Sequence, residues 1–346
     1  MSTAYGGSRL RAYLEFIAAI LYFFVARSFA QRIAGRLWAE AWSPLGEQAI
    51  LAFLLVAGYA AFGFLIDRQT KPISAQGLPM RAGWPREAAM GLAVGWTAVV
   101  LCVVPMALIG GIAIVISTHA PAWGWLVADF AFFALGALVE EVTFRGYGFQ
   151  RFERVVGPYG ASIGFALFYA ILQALLPGTT NISIAVSLIL SLLLSMAYLR
   201  TRALWMSWGI NFGWKASRAL VFGLAVSGVN SHSSVVEGDP MGPFWITGGG
   251  FGIDGSWIAA IVLLSAFPVV YRITRELDFQ YNAPLIVPGG VPVDLEAAAR
   301  RQHESAMGHS DEENRAPALV QILPAAAPQP PIPASEVSEG RPDDSH

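Results

Sequence analysis

The sequence predicts an all-α, polytopic integral membrane protein of about eight transmembrane helices, followed by a soluble, disordered C-terminal tail. Hydrophobic residues make up 55% of its 346 residues and charged residues only 13%. A soluble domain carries roughly 25% charged residues. Apolar stretches of about 20 residues, the length that crosses a bilayer, recur along the chain. We therefore expect the lipid bilayer to be the main solvent of this protein.

The expected spans follow one another along the first four fifths of the chain. The first has an aromatic centre at 22–24, and Arg27 and Arg32 follow this centre without a small-residue cleavage site. It is therefore expected to be a retained span and not a signal peptide. The expected spans cover 12–30, 46–66, 88–116, 124–143, 158–176, 182–199, 203–224 and 253–271.

Lysine and arginine are distributed unequally between the two sides of these spans. Cytoplasmic loops carry the excess of such residues, and the loops around 118–123, 177–181 and 225–252 contain none. We therefore expect an even number of spans and both termini in the cytoplasm. The outer side would hold Arg27, Arg32 and Arg36, and the cytoplasmic side Arg9, Arg11, Arg68, Lys71, Arg81, Arg86, Arg145, Arg151, Arg154, Arg200, Arg202, Arg272 and Arg275.

Composition divides the chain into three regions. Residues 1–87 contain the first two spans and a cytoplasmic loop, residues 88–276 form a transmembrane core, and residues 277–346 form the tail. The tail is rich in Pro, Ala, Glu, Ser and Asp, so it offers too little apolar surface to offset the entropy of ordering. We expect it to be solvated, with a tether or an interaction arm as the alternative.

Several classes of site are excluded or disfavoured by composition. The formal net charge of −2 argues against nucleic-acid binding. The single cysteine, Cys102, excludes an internal disulfide and a thiolate metal cluster. Catalytic zinc usually needs three protein ligands, but no histidine lies in the expected polar core. We therefore expect no metal and no cofactor. The histidines fall in the outer loops or the tail, at His119, His232, His303, His309 and His346.

Function is sought where polar groups lie at membrane depth, because an ionised residue there is costly and needs a partner or a role. The fourth expected span ends in Glu140 and Glu141, followed by Arg145. Glu141 and Arg145 are spaced i,i+4 and are expected to pair. Adjacent helical residues point about 100° apart, so the two glutamates are not expected to serve the same partner. Glu140 either extends to water at the cytoplasmic face or belongs to a site.

Two further polar groups lie at similar depth. Tyr169 and Gln173 are one turn apart in the fifth expected span. Asn211, Lys215 and Arg218 share a face of the seventh expected span. Taken singly, the tyrosine could be an ordinary core aromatic and the asparagine an interhelical hydrogen bond.

These residues carry a family resemblance. The segment "EEVTFR", from Glu140 to Arg145, resembles the EExxxR motif of the CPBP family, the CAAX-protease and bacteriocin-processing group of intramembrane endopeptidases. Three downstream stretches resemble later regions of that family in order and spacing over 125–271: "ASIGFALFYAILQALLPG", "LWMSWGINFGWKASRALVFGLAVSG" and "TGGGFGIDGSW". The resemblance implies the family's eight-helix fold and an intramembrane endopeptidase activity.

The same resemblance shows where this chain departs from the family. The second motif is FxxxH, and the matching positions are Phe165 and Tyr169. The third is HxxxN or HxxxD, and the matching positions are Asn211 and Lys215. Both motif histidines are therefore replaced, and only the glutamate motif is intact.

The resemblance implies roles for the matching residues. Glu140 would be the general base, and Tyr169 and Asn211 would be hydrogen-bond donors to an oxyanion. Lys215 opposes this assignment, because a neighbouring cation makes a carboxylate a weaker base. We therefore expect a buried Glu140–Lys215 ion pair in place of a catalytic water. A wider neutral network that also contains Arg218 is the structural alternative.

The sequence thus predicts a CAAX-protease-like membrane protein whose endopeptidase activity is lost or altered. Two alternatives stay open: a non-catalytic membrane scaffold, and an ion- or lipid-binding protein of transporter type. The latter is disfavoured because no internal repeat is detectable. The expected partners are the lipid bilayer and a membrane-associated or lipidated peptide.

Overall fold

The computed structural model describes residues 2–117 and 119–282, and most of these residues are helical. The described residues form the predicted all-α fold of a membrane protein and, in addition, one small two-stranded sheet that was not predicted. The main helices are α1 (Ser2–Leu37), α2 (Ser43–Leu65), α3 (Pro72–Ala75), α4 (Trp84–Leu108), α5 (Ala120–Arg145), α6 (Tyr147–Ala174), α7 (Asn181–Thr201), α8 (Leu204–Ala216), α9 (Phe244–Thr247), α10 (Trp257–Ile273) and α11 (Arg275–Asn282).

Each expected span overlaps one of these helices. By length and composition, the described residues contain 5 helical stretches able to cross a membrane, one of which, Ala120–Ala174, combines α5 and α6. The remaining two expected spans correspond to shorter helices, α8 with 13 residues and α10 with 17. A five-residue π-helix, Ser217–Val221, continues α8.

The expected span 88–116 is wrong in its second half. Helix α4 ends at Leu108, and the next segment is a strand, β1 (Ile112–Ile116). It pairs antiparallel with β2 (Val236–Pro240) in the loop before α10. Gly110 adopts a positive φ of 73°, which ends the helix, and the β-branched run after it favours an extended strand.

Helix α6 contains a break at Gly157, one residue before the expected start of the fifth span at residue 158. Gly157 has φ 81° and ψ 169°, and Pro158 follows it. Proline is well tolerated at the first position of a helix, so the apolar half of α6 begins there. The preceding half carries charged residues and lies at one end of the bundle.

Helices α4 and α8 are in backbone contact, and this contact places the polar face of α8. A Cβ at Gly95 would lie 2.3 Å from the Ile210 carbonyl oxygen, and one at Gly209 would lie 2.3 Å from that of Ala88. Gly91 and Gly213 are equally close to the opposite backbone, so each helix contributes a GxxxG pair. Such pairs allow helices in a membrane to approach closely.

A buried charge cluster joins three helices at one end of the bundle. The Arg151 guanidinium, fully buried at the start of α6, donates to Asp67 at 2.6 Å and lies 3.5 Å from Glu15. Arg11 donates to Glu15 at 2.7 Å. The positions expected at the cytoplasmic ends of α1, α2 and α6 therefore meet.

The helices from α1 to α11 belong to one compact unit, so regions 1–87 and 88–276 pack together. Residues 277–282, at the start of the expected tail, continue α11, and Asp278 binds Arg200 of α7 at 2.9 Å. The rest of the expected tail, 283–346, lies outside the described residues.

Candidate functional site

The acidic pair of the fourth expected span, Glu140 and Glu141, lies near the end of α5. Glu141 and Arg145 form the expected i,i+4 pair, with 3.0 Å between Oε1 and Nη1. Their side chains are 0% and 1% exposed. Arg145 also donates from Nη2 to the carbonyl oxygen of Ser191 at 2.9 Å and to its hydroxyl at 2.8 Å. This pair therefore ties α5 to α7 in the interior of the bundle.

Helix α8 faces the glutamates with Asn211 and Lys215, as their i,i+4 spacing predicts. The Lys215 ammonium contacts Oε1 of Glu140, so the expected ion pair is confirmed. The side chains are 12% exposed for Lys215 and 27% for Glu140. The pair is consequently half-buried and not buried as predicted, and Glu140 keeps access to its surroundings.

Asn211 joins the two glutamates, which corrects the expectation that they share no partner. Its amide nitrogen donates to Glu140 Oε2 at 3.0 Å and to Glu141 Oε1 at 3.0 Å. An amide NH₂ carries two hydrogens and can serve two acceptors. Helix geometry points the two carboxylates apart, but their side chains are long enough for one donor between them.

Two buried acceptors at this junction are left without a hydrogen bond among the described residues, Asn211 Oδ1 and Glu141 Oε2. An unpaired buried acceptor costs about 1–3 kcal/mol. The junction therefore has hydrogen-bonding capacity for a bound water or a polar group of a ligand.

Tyr169 does not join this hydrogen-bonded group. It is buried on α6, and its ring packs edge-on against Phe144 with centroids 5.1 Å apart. No hydrogen bond of its hydroxyl is present within the described part of the chain. Gln173, one turn later, donates a long hydrogen bond of 3.4 Å to the Ser227 hydroxyl, so its side chain contacts the loop after the π-helix. The expected polar stripe on α6 is not directed as a unit at Glu140.

Arg218 pairs away from the glutamates within the described residues, so the structural alternative of a wider network that contains it is not formed. It lies on the π-helix after α8 and binds Asp254 at 2.5 Å. Asp254 also accepts a hydrogen bond of 3.0 Å from the Trp214 indole. The described residues thus contain a further buried charge pair, which attaches the loop before α10 to the π-helix after α8.

Three features of the site were missed from the sequence, and two of them have a signal there. The glycine pairs of α4 and α8 are visible as two GxxxG patterns in apolar helices. Helix α7 carries a four-residue repeat of buried serines, one of which binds Arg145. The partner of Arg218 has no such signal, because Asp254 is remote in sequence. The serines are Ser183, Ser187, Ser191 and Ser195.

The side chains at this site do not fit a catalytic metal. The family resemblance allows a metal role, but no group of three or more His, Cys, Asp or Glu that could hold an ion occurs within 2–117 and 119–282. The two carboxylates are bound by Asn211, Lys215 and Arg145. His232 lies in the loop between the π-helix and β2, with Nδ1 3.0 Å from Asp129.

A protein-family model, type II CAAX prenyl endopeptidase Rce1-like, matches residues 120–217. Over this segment the chain is similar to the CAAX-protease family. The matched segment runs from the start of α5 to the end of α8, so it contains every site residue expected from the sequence. Comparison with curated proteins and with solved structures gave no match.

The similarity to this family makes the contacts of Glu140 informative. In this chain, the glutamate expected to act as a base is bound through both oxygens by donors from α8, Asn211 and Lys215. Those two residues stand at the positions of the third family motif. The α5–α8 contact of this chain therefore joins the residues at the first and third motif positions.

Proposed function

We propose that this chain is a CAAX-protease-like membrane protein that binds a membrane-associated or lipidated peptide without hydrolysing it. One observation carries the proposal: the Lys215 ammonium contacts the carboxylate of Glu140. A general base must accept a proton from water within hydrogen-bond reach. A carboxylate held by an ammonium and an amide is poorly suited to that role.

The partial exposure of Glu140 supports a binding role. Its side chain is 27% exposed, whereas that of Glu141 is fully buried. A polar group of a membrane-embedded peptide could reach Glu140, and the unpaired acceptor of Asn211 offers a further hydrogen bond. The site is thus polar and accessible but lacks an imidazole within the described residues.

A peptidase assay on the purified protein tests the loss of hydrolysis. Prenylated and unprenylated peptides are incubated with the wild type, with Glu140→Ala, and with a Tyr169→His/Asn211→His/Lys215→Asn variant that restores the family pattern. We expect no turnover by the wild type. We expect turnover by the triple variant, abolished when Glu140→Ala is added.

Wild-type turnover that Glu140→Ala abolishes would overturn the proposal and restore the protease. Glu237→Ala, an exposed change on β2, is the matched control. Binding is measured with the same peptides by fluorescence anisotropy. A wild type that neither cleaves nor binds them would refute the binding role.

We also propose a multi-pass topology of eight spans with both termini in the cytoplasm. The cluster of Arg11, Glu15, Asp67 and Arg151 supports it, because the ends expected on the cytoplasmic side meet there. Cysteine labelling tests it in a Cys102→Ser background. A membrane-impermeant maleimide should label Gly250→Cys in intact cells, and Thr70→Cys only after permeabilisation. The reverse labelling pattern would contradict this topology.

A further inference from the structure

Helices α4 and α10 pack side by side and leave an apolar groove of about 320 Å³ between them. The groove runs from Met90 to Leu101 on α4 and from Val262 to Ile273 on α10. No residue of the Glu140 site lines it. Small side chains, among them Ala93 and Ala266, line the groove where the two helices meet and leave the space between the helices unfilled.

The dimensions of the groove correspond to one hydrocarbon chain in one leaflet. At 1.5 Å per residue, the segment from Met90 to Leu101 is about 16 Å long. The hydrocarbon core of a bilayer is about 30 Å thick, so one leaflet contributes about 15 Å. The lining is almost wholly apolar, with Thr97 and Ser265 as its hydroxyl-bearing members. An aliphatic chain therefore fits both its length and its chemistry.

Two arginines, one on each helix, lie near the same end of the groove. Arg86 precedes Met90 by four residues on α4, and Arg272 follows Val269 by three residues on α10. Residues at these spacings share a helix face. Both arginine side chains are exposed. The groove thus has an apolar body and a cationic end.

Neither cation is neutralised by an ion pair within the described residues. Glu87, the acidic neighbour of Arg86, is buried and is held by Arg81 through two hydrogen bonds of 3.0 and 2.8 Å. Asp278, near Arg272 in sequence, binds Arg200 at 2.9 Å. Glu87 and Asp278 are therefore already engaged, and the exposed Glu276 forms no ion pair with either arginine within the described residues, so the two guanidinium groups remain available to an anion.

We propose that this groove binds an anionic phospholipid of the cytoplasmic leaflet, with one acyl chain between α4 and α10 and its phosphate held by Arg86 and Arg272. Guanidinium groups bind phosphate oxygens through paired hydrogen bonds. Basic sites between transmembrane helices on the cytoplasmic side are suited to anionic headgroups. The lipid joins α4, which positions the polar face of α8, to α10.

Native mass spectrometry of the full chain in detergent tests this assignment. The protein is titrated with phosphatidylglycerol and with phosphatidylcholine of identical acyl chains. We expect phosphatidylglycerol to bind roughly tenfold more tightly, since each arginine near a lipid headgroup contributes a favourable interaction. Arg86→Ala/Arg272→Ala should reduce its binding to the level of phosphatidylcholine, and Arg86→Lys/Arg272→Lys should retain most of the preference.

The control removes the same charge elsewhere: Lys71→Ala/Arg154→Ala changes two exposed cations outside the groove. A groove-filling variant, Ala93→Phe/Ser265→Phe, should weaken both lipids while leaving the elution profile of the protein unchanged. Equal binding of the two lipids by the wild type would overturn the proposal. So would a preference that survives in Arg86→Ala/Arg272→Ala, an equal loss in the control, or displacement of phosphatidylglycerol by a prenylated peptide.

Discussion

Two neighbouring carboxylates at the end of α5 lie in different environments. The Glu141–Arg145 pair is sealed, with side chains 0% and 1% exposed, and it extends to Ser191 on α7. The Glu140–Lys215 pair is half-buried, with side chains 27% and 12% exposed. Both receive a hydrogen bond from Asn211. Of these two adjacent residues, Glu141 therefore has a structural role and Glu140 is accessible. The difference between their contributions to stability can be measured.

Removing the buried cation should have the largest effect. Arg145→Ala leaves the Glu141 carboxylate buried and unpaired, so we expect a loss of about 3–5 kcal/mol in the free energy of unfolding. Thermal unfolding of the detergent-solubilised protein measures it. Arg154→Ala, at an exposed position of α6, is the control and should change little. A loss no larger than that of the control would show that the sealed pair does not stabilise the fold.

Separating α4 from α8 should disturb both pairs together. A Cβ added at Gly95 would lie 2.3 Å from the Ile210 carbonyl oxygen, so a leucine there would clash with the backbone of α8. We expect Gly95→Leu to cost about 3 kcal/mol, the upper end of the usual overpacking range. Gly124→Leu is the matched control, because nothing lies within 4 Å of its added Cβ. Equal unfolding temperatures for the two variants would contradict the close contact.

Asn211 connects the two pairs, and its removal should have an intermediate effect. Asn211→Ala deletes two hydrogen bonds to charged acceptors and also removes a buried unpaired oxygen. The net loss expected is about 2 kcal/mol. Chemical denaturation measures it, with Asn230→Ala in an exposed loop as the reference. An unchanged free energy of unfolding would mean that each ion pair is stable without Asn211.

The accessible pair should contribute least to stability. Lys215→Met keeps the aliphatic stem and removes the charge, so we expect a change of about 0–1 kcal/mol, as for other partly exposed pairs. Lys71→Met on the surface provides the baseline. A loss as large as that of Arg145→Ala would erase the distinction between the two regions and make Glu140 a structural residue.

Much of this site could be predicted from residue spacing along single helices. The i,i+4 pairing of Glu141 with Arg145 and the shared face of Asn211 and Lys215 depend on local geometry, which a sequence displays. The pairing of Glu140 with Lys215 was predicted by combining the family motif with charge. The partner of Arg218 was not, because Asp254 reaches it from a loop 36 residues further along the chain.

The sequence by itself determined the apolar character of this protein, most of its helices and its resemblance to the CAAX-protease family, because hydropathy and motif spacing are local properties. It also identified the glutamates, the asparagine and the lysine at membrane depth. Only the tertiary structure decided that Glu140 is half-exposed while Glu141 is sealed, that Asn211 binds both, and that Tyr169 packs against Phe144. The physical reason is that exposure and hydrogen-bond geometry depend on how closely separate helices approach, and backbone contact at the α4–α8 glycines determines that approach here.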